Sequence, residues 1–188
     1  MKVILASRSP RRRELLGKII PEFEIVTEET DESLPEGIHP KNGVEMLAIR
    51  KGAAVLPKVS ADALIISSDT LVELDGIPLG KPADEDDAVR ILMGLSGKKH
   101  NVHTGIAVHY KGRVVSGVDT SSVLFKNFSE SEALEYVKTG EPMDKAGAYA
   151  IQGIGARLVL GYEGEFDTIV GLGLKLTERL IKEATKND

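Results

Sequence analysis

Apolar residues along the chain follow two rhythms. Short apolar runs at residues 2–6, 23–26 and 63–67 read as strands, the first and third of the buried type. Val44, Leu47, Ala48, Lys51, Ala54 and Val55 fall on one helical face, five apolar and one lysine. Ala88, Ile91, Leu92 and Leu95 repeat the helical pattern, after the acidic start Asp84-Glu85-Asp86-Asp87 and before Gly97. Ser9-Pro10 pairs an N-cap with a first-turn proline, so a helix is expected from Pro10 to about Lys18. Ser129-Glu130-Ser131-Glu132 is a capping box for a helix to about Lys138, with Gly140 beyond.

Residues 101–110 and 113–124 alternate around Lys111-Gly112, which predicts a long antiparallel hairpin. The run 63–67 leads through Asp69-Thr70 to 71–74 and then to Asp75-Gly76, a hairpin-turn signal. Residues 148–151, 157–160 and 166–170 are short strand candidates, and 172–184 closes the chain as a helix. The acidic, turn-rich stretch 27–40 reads as a loop. Interspersed helices and strands with hairpins indicate a mixed-sheet α/β or α+β fold. If there are two lobes, stretch 27–40 and the residues around 96–101 are the expected joints.

Composition removes several function classes. The 188 residues contain no Cys, which excludes a disulfide scaffold, a Cys-ligated zinc site, an iron–sulfur cluster and a thiol nucleophile. Twenty-four Lys and Arg against 29 Asp and Glu give a net charge of −5, unsuited to non-specific nucleic-acid binding. Four Phe, four Tyr and no Trp leave little for a base-stacking platform. The apolar run at the N-terminus is too short for a signal peptide and no run of 18 apolar residues occurs, so a cytoplasmic protein without a membrane span is expected.

Five features stand out against that background. Arg11-Arg12-Arg13 opens a helix, where the macrodipole disfavours cations by ~0.3–1 kcal/mol each; a docked anion would compensate, with Ser7 and Ser9 adding hydroxyls. A solvated basic turn capped by Ser9 explains the same residues. Lys51 interrupts an apolar face, either partnered or with its ammonium reaching water. Ser67-Ser68-Asp69-Thr70 puts a carboxylate where an apolar strand leaves the core, as a catalytic group or as a turn aspartate. Gly80-Lys81-Pro82 presents a lysine on a stiff turn, or an ordinary loop lysine. The run from Asp144 and Lys145 through Gly147 and Gln152 to Gly155 lets backbone approach a ligand, or forms a bulged strand and turn. There is no P-loop, and His100 and His103 sit at an odd offset that points them to opposite faces of a strand.

In order along the chain, the segments Ile4-Leu5-Ala6-Ser7-Arg8-Ser9-Pro10-Arg11-Arg12-Arg13-Glu14-Leu15-Leu16, Asp31-Glu32, Arg50-Lys51, Ser68-Asp69-Thr70, Gly80-Lys81-Pro82, Leu95-Ser96-Gly97 and Asp144 to Gly153 resemble the Maf family of septum-formation-inhibitor-like nucleoside triphosphate pyrophosphatases. The resemblance implies one Maf-like domain over 1–188, with two lobes around a cleft. It implies an elongated α/β fold related to the inosine triphosphate pyrophosphatases. It implies hydrolysis of a nucleoside triphosphate to the monophosphate and pyrophosphate with Mg²⁺ or Mn²⁺. Asp69 matches the family's proton acceptor. Arg11, Thr70 and Gln152 match the positions that separate subfamilies and are similar to the dTTP/UTP type. Ser7, Arg12, Glu32, Lys51, Lys81 and Asp144 match further site positions, with Lys145 beside them.

On that footing Ser7, Arg12, Lys51 and Lys81 are expected to bind phosphate, and Glu32 and Asp69 to hold the metal. The only expected partner is a small nucleotide, with neither nucleic acid nor membrane; monomer and homodimer stay open. Departures from the family pattern are Gly171-Leu172-Gly173-Leu174, Phe166-Asp167-Thr168, Gly52, and Ser67-Ser68 before Asp69. A nucleotide-binding regulator of cell division and a nucleotidyltransferase are the alternative readings.

Overall fold

The computed structural model describes residues 1–186, so the last two residues of the expected 1–188 domain lie outside it. The chain divides into two compact units. The first comprises Met1–Thr70, Thr104–Asp119 and the chain from Gly171 onward; the second comprises Leu71–His103 and Thr120–Val170.

In the first unit, strand β1 (Val3–Leu5) runs parallel to β2 (Glu24–Ile25) and to the start of β3 (Leu64–Leu74), with Ile4 opposite Ile65 and Leu5 opposite Ile66. Both faces of β1 are buried, which explains its unbroken apolar run. Helix α1 (Pro10–Gly17) begins at the expected cap, with Ser9 Oγ accepting from the Arg12 amide. Helix α2 (Pro40–Val55) buries Val44, Leu47, Ala48 and Val55, the predicted face. Val55 packs with Ile4, Ala6, Ala63 and Ile65 in one apolar cluster.

In the second unit, β3 turns at Asp75-Gly76 into β4 (Ile77–Leu79). Both turn residues have positive φ, 53° and 82°, as a two-residue hairpin turn requires. Helix α3 (Glu85–Leu95) is capped by Asp84 and packs against α4 (Glu130–Val137), whose capping box at Ser129 and Glu132 forms as predicted. Phe125, Tyr149 and His100 interlock edge-to-face, with ring centroids 4.7–5.4 Å apart.

Strands β5 (Lys99–Tyr110) and β6 (Arg113–Phe125) flank the Lys111-Gly112 turn, and β7 (Val159–Glu163) pairs antiparallel with β6. Among the described residues the seven strands form one mixed sheet in the order β2-β1-β3-β5-β6-β7, with β4 on β3. The fold class is therefore α/β with a mixed sheet. The chain ends in α6 (Leu174–Ala184), preceded by the short helix α5 (Phe166–Val170).

Four expectations are corrected. Asp69 and Thr70 lie inside β3, not beyond its end, because the hydroxyls of Ser67 and Ser68 bond to backbone carbonyls and let a polar stretch continue the strand. Residues 148–151 are not a strand: Gly147 and Ala148 have φ of 71° and 57°, which breaks an extended path. Residues 157–160 straddle a 3-10 turn (Ile154–Leu158) and the start of β7. Residues 166–170 form α5, since Phe166, Ile169 and Val170 have helical as well as strand-like spacing over so short a run. The expected joints also move. Stretch 27–40 lies wholly in the first unit and 96–101 wholly in the second, while β3, β5 and β6 are each long enough to contribute to both.

Candidate active site

Strand β3 distributes its polar side chains by the two-residue alternation of a strand. Ser67 and Asp69 point towards α2: Ser67 Oγ donates to the Ala48 carbonyl at 2.7 Å, and Asp69 accepts from Lys51. Ser68 and Thr70 point the other way: Ser68 Oγ donates to the Gly171 carbonyl at 2.7 Å, and Thr70 Oγ1 accepts from Arg12 Nη2 at 3.1 Å. One strand thus feeds two clusters.

The first cluster forms around Lys51. Its ammonium bonds Asp69 Oδ1 and lies 2.8 Å from Glu32 Oε1. Lys51 and Asp69 are mostly buried, with side chains 19% and 13% exposed, whereas Glu32 is 57% exposed. Lys51 is therefore partnered, not reaching for water. The Glu32 segment is itself fixed. Arg50 Nη1 donates to the carbonyls of Asp31 and Ser33 at 3.3 and 2.6 Å, and Asp31 accepts from the amide and hydroxyl of Ser33. The neighbouring residues Arg50 and Lys51 on α2 hold the backbone and the carboxylate of the same loop.

The second cluster forms around Arg12. Its Nε donates to the Gly171 carbonyl at 2.9 Å, Nη1 to Ser7 Oγ at 3.4 Å and Nη2 to Thr70 Oγ1. Ser7 Oγ also accepts from the Ser9 amide, and Thr70 Oγ1 lies 3.0 Å from Thr104 Oγ1. Burial lowers the Arg12 pKa; the charge of Asp69 opposes that shift, and neighbouring Arg11 adds to it. The basic helix start is thus not simply a solvated turn, since its central arginine is fastened to the protein. Gly171 has φ of 125°, and a Cβ there would sit 3.3 Å from both Arg12 Nε and Thr70 Oγ1. Its carbonyl serves Arg12 and Ser68 together.

Lys81, Asp144, Lys145 and Gln152 belong to the second unit. The Gly147 amide donates to the Gly80 carbonyl at 3.0 Å, tying the Lys81 turn to the segment that follows Asp144-Lys145. Lys145 pairs with Asp144, with the lysine mostly buried and the aspartate exposed. Gln152 stands exposed at the middle of the turn between Ala150 and Gly155.

The structure therefore brings together Ser7, Arg12 and Thr70, then Glu32, Lys51 and Asp69, and then Asp144 and Lys145. Arg11 sits on α1 next to Arg12. His100 and His103 have separate partners, Tyr149 for the first, Glu73 and Thr120 for the second. Among the described residues no group of three or more His, Asp or Glu is arranged to hold a metal. Ser68 and Gly171, quoted above only within their motifs, prove to fasten the Arg12 cluster. Period-2 counting along β3 identifies Ser68 as a companion of Thr70, whereas the carbonyl of Gly171 carries no side-chain signal.

A family model described as Maf-like protein matches residues 2–184. The chain is 43% identical over 182 residues to a dTTP/UTP pyrophosphatase of Bacillus velezensis, covering 97% of this chain and 96% of that one. A dTTP/UTP pyrophosphatase of Vibrio cholerae is 44% identical over 180 residues, covering 96% of each. Among solved structures, the Staphylococcus aureus Ham1 protein shares the fold at a TM-score of 0.51 and 15% identity, covering 95% of this chain and 90% of that one. With a family model spanning nearly its whole length, the chain belongs to the Maf-like family.

Proposed function

We propose that the chain hydrolyses dTTP and UTP to the nucleoside monophosphate and pyrophosphate. The activity named for relatives 43–45% identical over nearly the full length supports this reading. The observation that carries it is the convergence of Glu32 and Asp69 on the Lys51 ammonium, beside an arginine fork held by Ser7 and Thr70. Hydrolysis of a phosphoanhydride needs cations for the phosphate chain and a base for water, and these residues supply both.

Two carboxylates against one ammonium also suit a divalent cation. Hard cations such as Mg²⁺ or Mn²⁺ are commonly held by one or two carboxylates together with substrate phosphates. Glu32 and Asp69 would hold it, and when bound it would draw charge from a phosphoryl oxygen. An arriving triphosphate offers Lys51 stronger anionic partners, which releases Asp69 from its ion pair. Asp69 then takes a proton from water as the water oxygen bonds to the α-phosphorus. The bond to the β-phosphate oxygen breaks and pyrophosphate leaves. Arg12 and Lys51 stabilise the charge that grows on the leaving group, with Ser7 orienting Arg12. Lys81 is assigned to phosphate as well, with Asp144 and Lys145 as further site residues. Arg11, Thr70 and Gln152 are assigned to the base.

A panel of nucleoside triphosphates with Mg²⁺ or Mn²⁺, scored for pyrophosphate and monophosphate, tests this. The expected result is turnover of dTTP and UTP above the purine nucleotides. Tight binding with no turnover would instead favour a nucleotide-sensing regulator, and transfer to an acceptor other than water a nucleotidyltransferase.

A further inference from the structure

The turn that presents Gln152 is short and rich in small residues, so its own side chains cannot hold its shape. It is held from outside by two residues. At its start the Ala150 amide donates to Tyr136 Oη at 3.2 Å. At its end the amides of Ile154 and Gly155 donate to the two oxygens of Glu141, at 3.0 and 2.8 Å. Tyr136 Oη in turn donates to Glu141 Oε2 at 2.6 Å, so the two anchors are one unit. The turn presses against that carboxylate. Gly153 has φ of 87°, and a Cβ there would lie 2.3 Å from Glu141 Oε1. Burial works to raise the Glu141 pKa, but the Tyr136 hydroxyl and the two amides overcome it and hold the carboxylate below its ordinary range. The Tyr136 ring is buried on α4, which makes the anchor rigid.

We infer that Glu141, braced by Tyr136, is a positioning residue for base selection: its carboxylate fixes the 150–155 turn so that Gln152 presents its amide in one orientation. The inference rests on the assignment of Gln152 to the base. Glu141 and Tyr136 act through the backbone of the turn, whose amides they bind. A glutamine amide offers donors and acceptors equally, so it discriminates bases only when its backbone is held still. A carboxylate is the group that can accept three donors at once, and Glu141→Gln must set an amide N–H against a backbone N–H.

The test measures kcat and KM for dTTP and for CTP in wild type, Gln152→Ala, Glu141→Gln, Tyr136→Phe and Glu141→Gln/Gln152→Ala, with thermal midpoints for each. Wild type is expected to favour dTTP over CTP in kcat/KM, and that preference to fall about tenfold in Gln152→Ala, the size of losing one good contact to a base. Glu141→Gln is expected to lose most of the same preference through a raised KM for dTTP, with kcat within about threefold. Tyr136→Phe, which removes a single hydroxyl from a retained ring, is expected to lose part of it. The double variant is expected to be no less selective than Gln152→Ala alone. The inference is overturned if Gln152→Ala loses the preference while Glu141→Gln and Tyr136→Phe keep it. It is equally overturned if those two lower activity on both nucleotides by one common factor. If Gln152→Ala itself keeps the preference, the assignment of Gln152 falls and takes the inference with it.

Discussion

In the proposed reaction Asp69 is the residue on which the chemistry turns, because it is the mostly buried carboxylate on the Lys51 ammonium. Asp69→Asn keeps the shape and removes the base. Pyrophosphate release is expected to drop by roughly 10²–10⁴-fold. Nucleotide binding, read by calorimetry, should hold within a few-fold, since the change also frees Lys51 for phosphate. Arg12 makes a different prediction. Its fork reaches the Gly171 carbonyl, Ser7 Oγ and Thr70 Oγ1 in three directions, and a lysine ammonium cannot reproduce that geometry. Arg12→Lys should lower kcat/KM for dTTP by about tenfold or more, the worth of one hydrogen bond from a charged donor. Retained kcat/KM in Arg12→Lys would show that charge alone suffices. Lys51 was legible in the sequence as an outlier on an apolar face. Glu32 and Asp69 were legible as site residues too, but their pairing with Lys51 was not, because they meet it only through the tertiary path of a loop and a strand.

At the scale of elements, the placement of Lys51 depends on how closely α2 lies on the sheet. Two glycines permit that approach. A Cβ on Gly105 would meet the Val44 carbonyl of α2 at 2.5 Å, and one on Gly52 would meet His109 Nε2 at 2.4 Å and Ser67 Oγ at 2.7 Å. Ser67 Oγ ties the same turn of the helix to β3 through the Ala48 carbonyl. Gly52→Ala is therefore expected to cost about 1–3 kcal/mol in urea unfolding, the usual range for overpacking. Activity should fall further than stability, since Lys51 is the next residue. A neutral effect on both would mean that the helix seat is soft. Elements with their own punctuation were legible: Ser9-Pro10, the Asp75-Gly76 turn, the Ser129 box and the Lys111-Gly112 hairpin all appear where expected. Segments 148–151 and 166–170 misled because four or five residues cannot reveal a period. In the first of them the Ala150 amide is taken up by Tyr136 Oη, a distant acceptor that local pattern does not show.

At the scale of the whole molecule, a net charge of −5 coexists with a local positive cluster at Arg11-Arg12-Arg13, and with a lysine, Lys51, that two carboxylates hold in the site. Overall charge speaks against nucleic acid yet does not bear on a triphosphate, which reads only its immediate surroundings. Global stability should carry a pH signature from buried histidine. Burial lowers His100 from 6.5 to about 4, and burial lowers His109 in the same direction. Between those values the unfolded chain takes up a proton that the folded chain refuses, so stability falls as pH drops from about 6.5 towards 4. For His100 alone the loss is about 3 kcal/mol. Urea midpoints at pH 7, 6 and 5 should fall in that order, and His100→Gln should flatten the limb; an unchanged limb would place the titration elsewhere. The central claim is that water cuts the nucleotide next to the α-phosphate. Turnover of dTTP with Mg²⁺ in ¹⁸O-water, followed by mass analysis, tests it most directly. Pyrophosphate without label and thymidine monophosphate carrying one ¹⁸O are expected. Orthophosphate with thymidine diphosphate would contradict it.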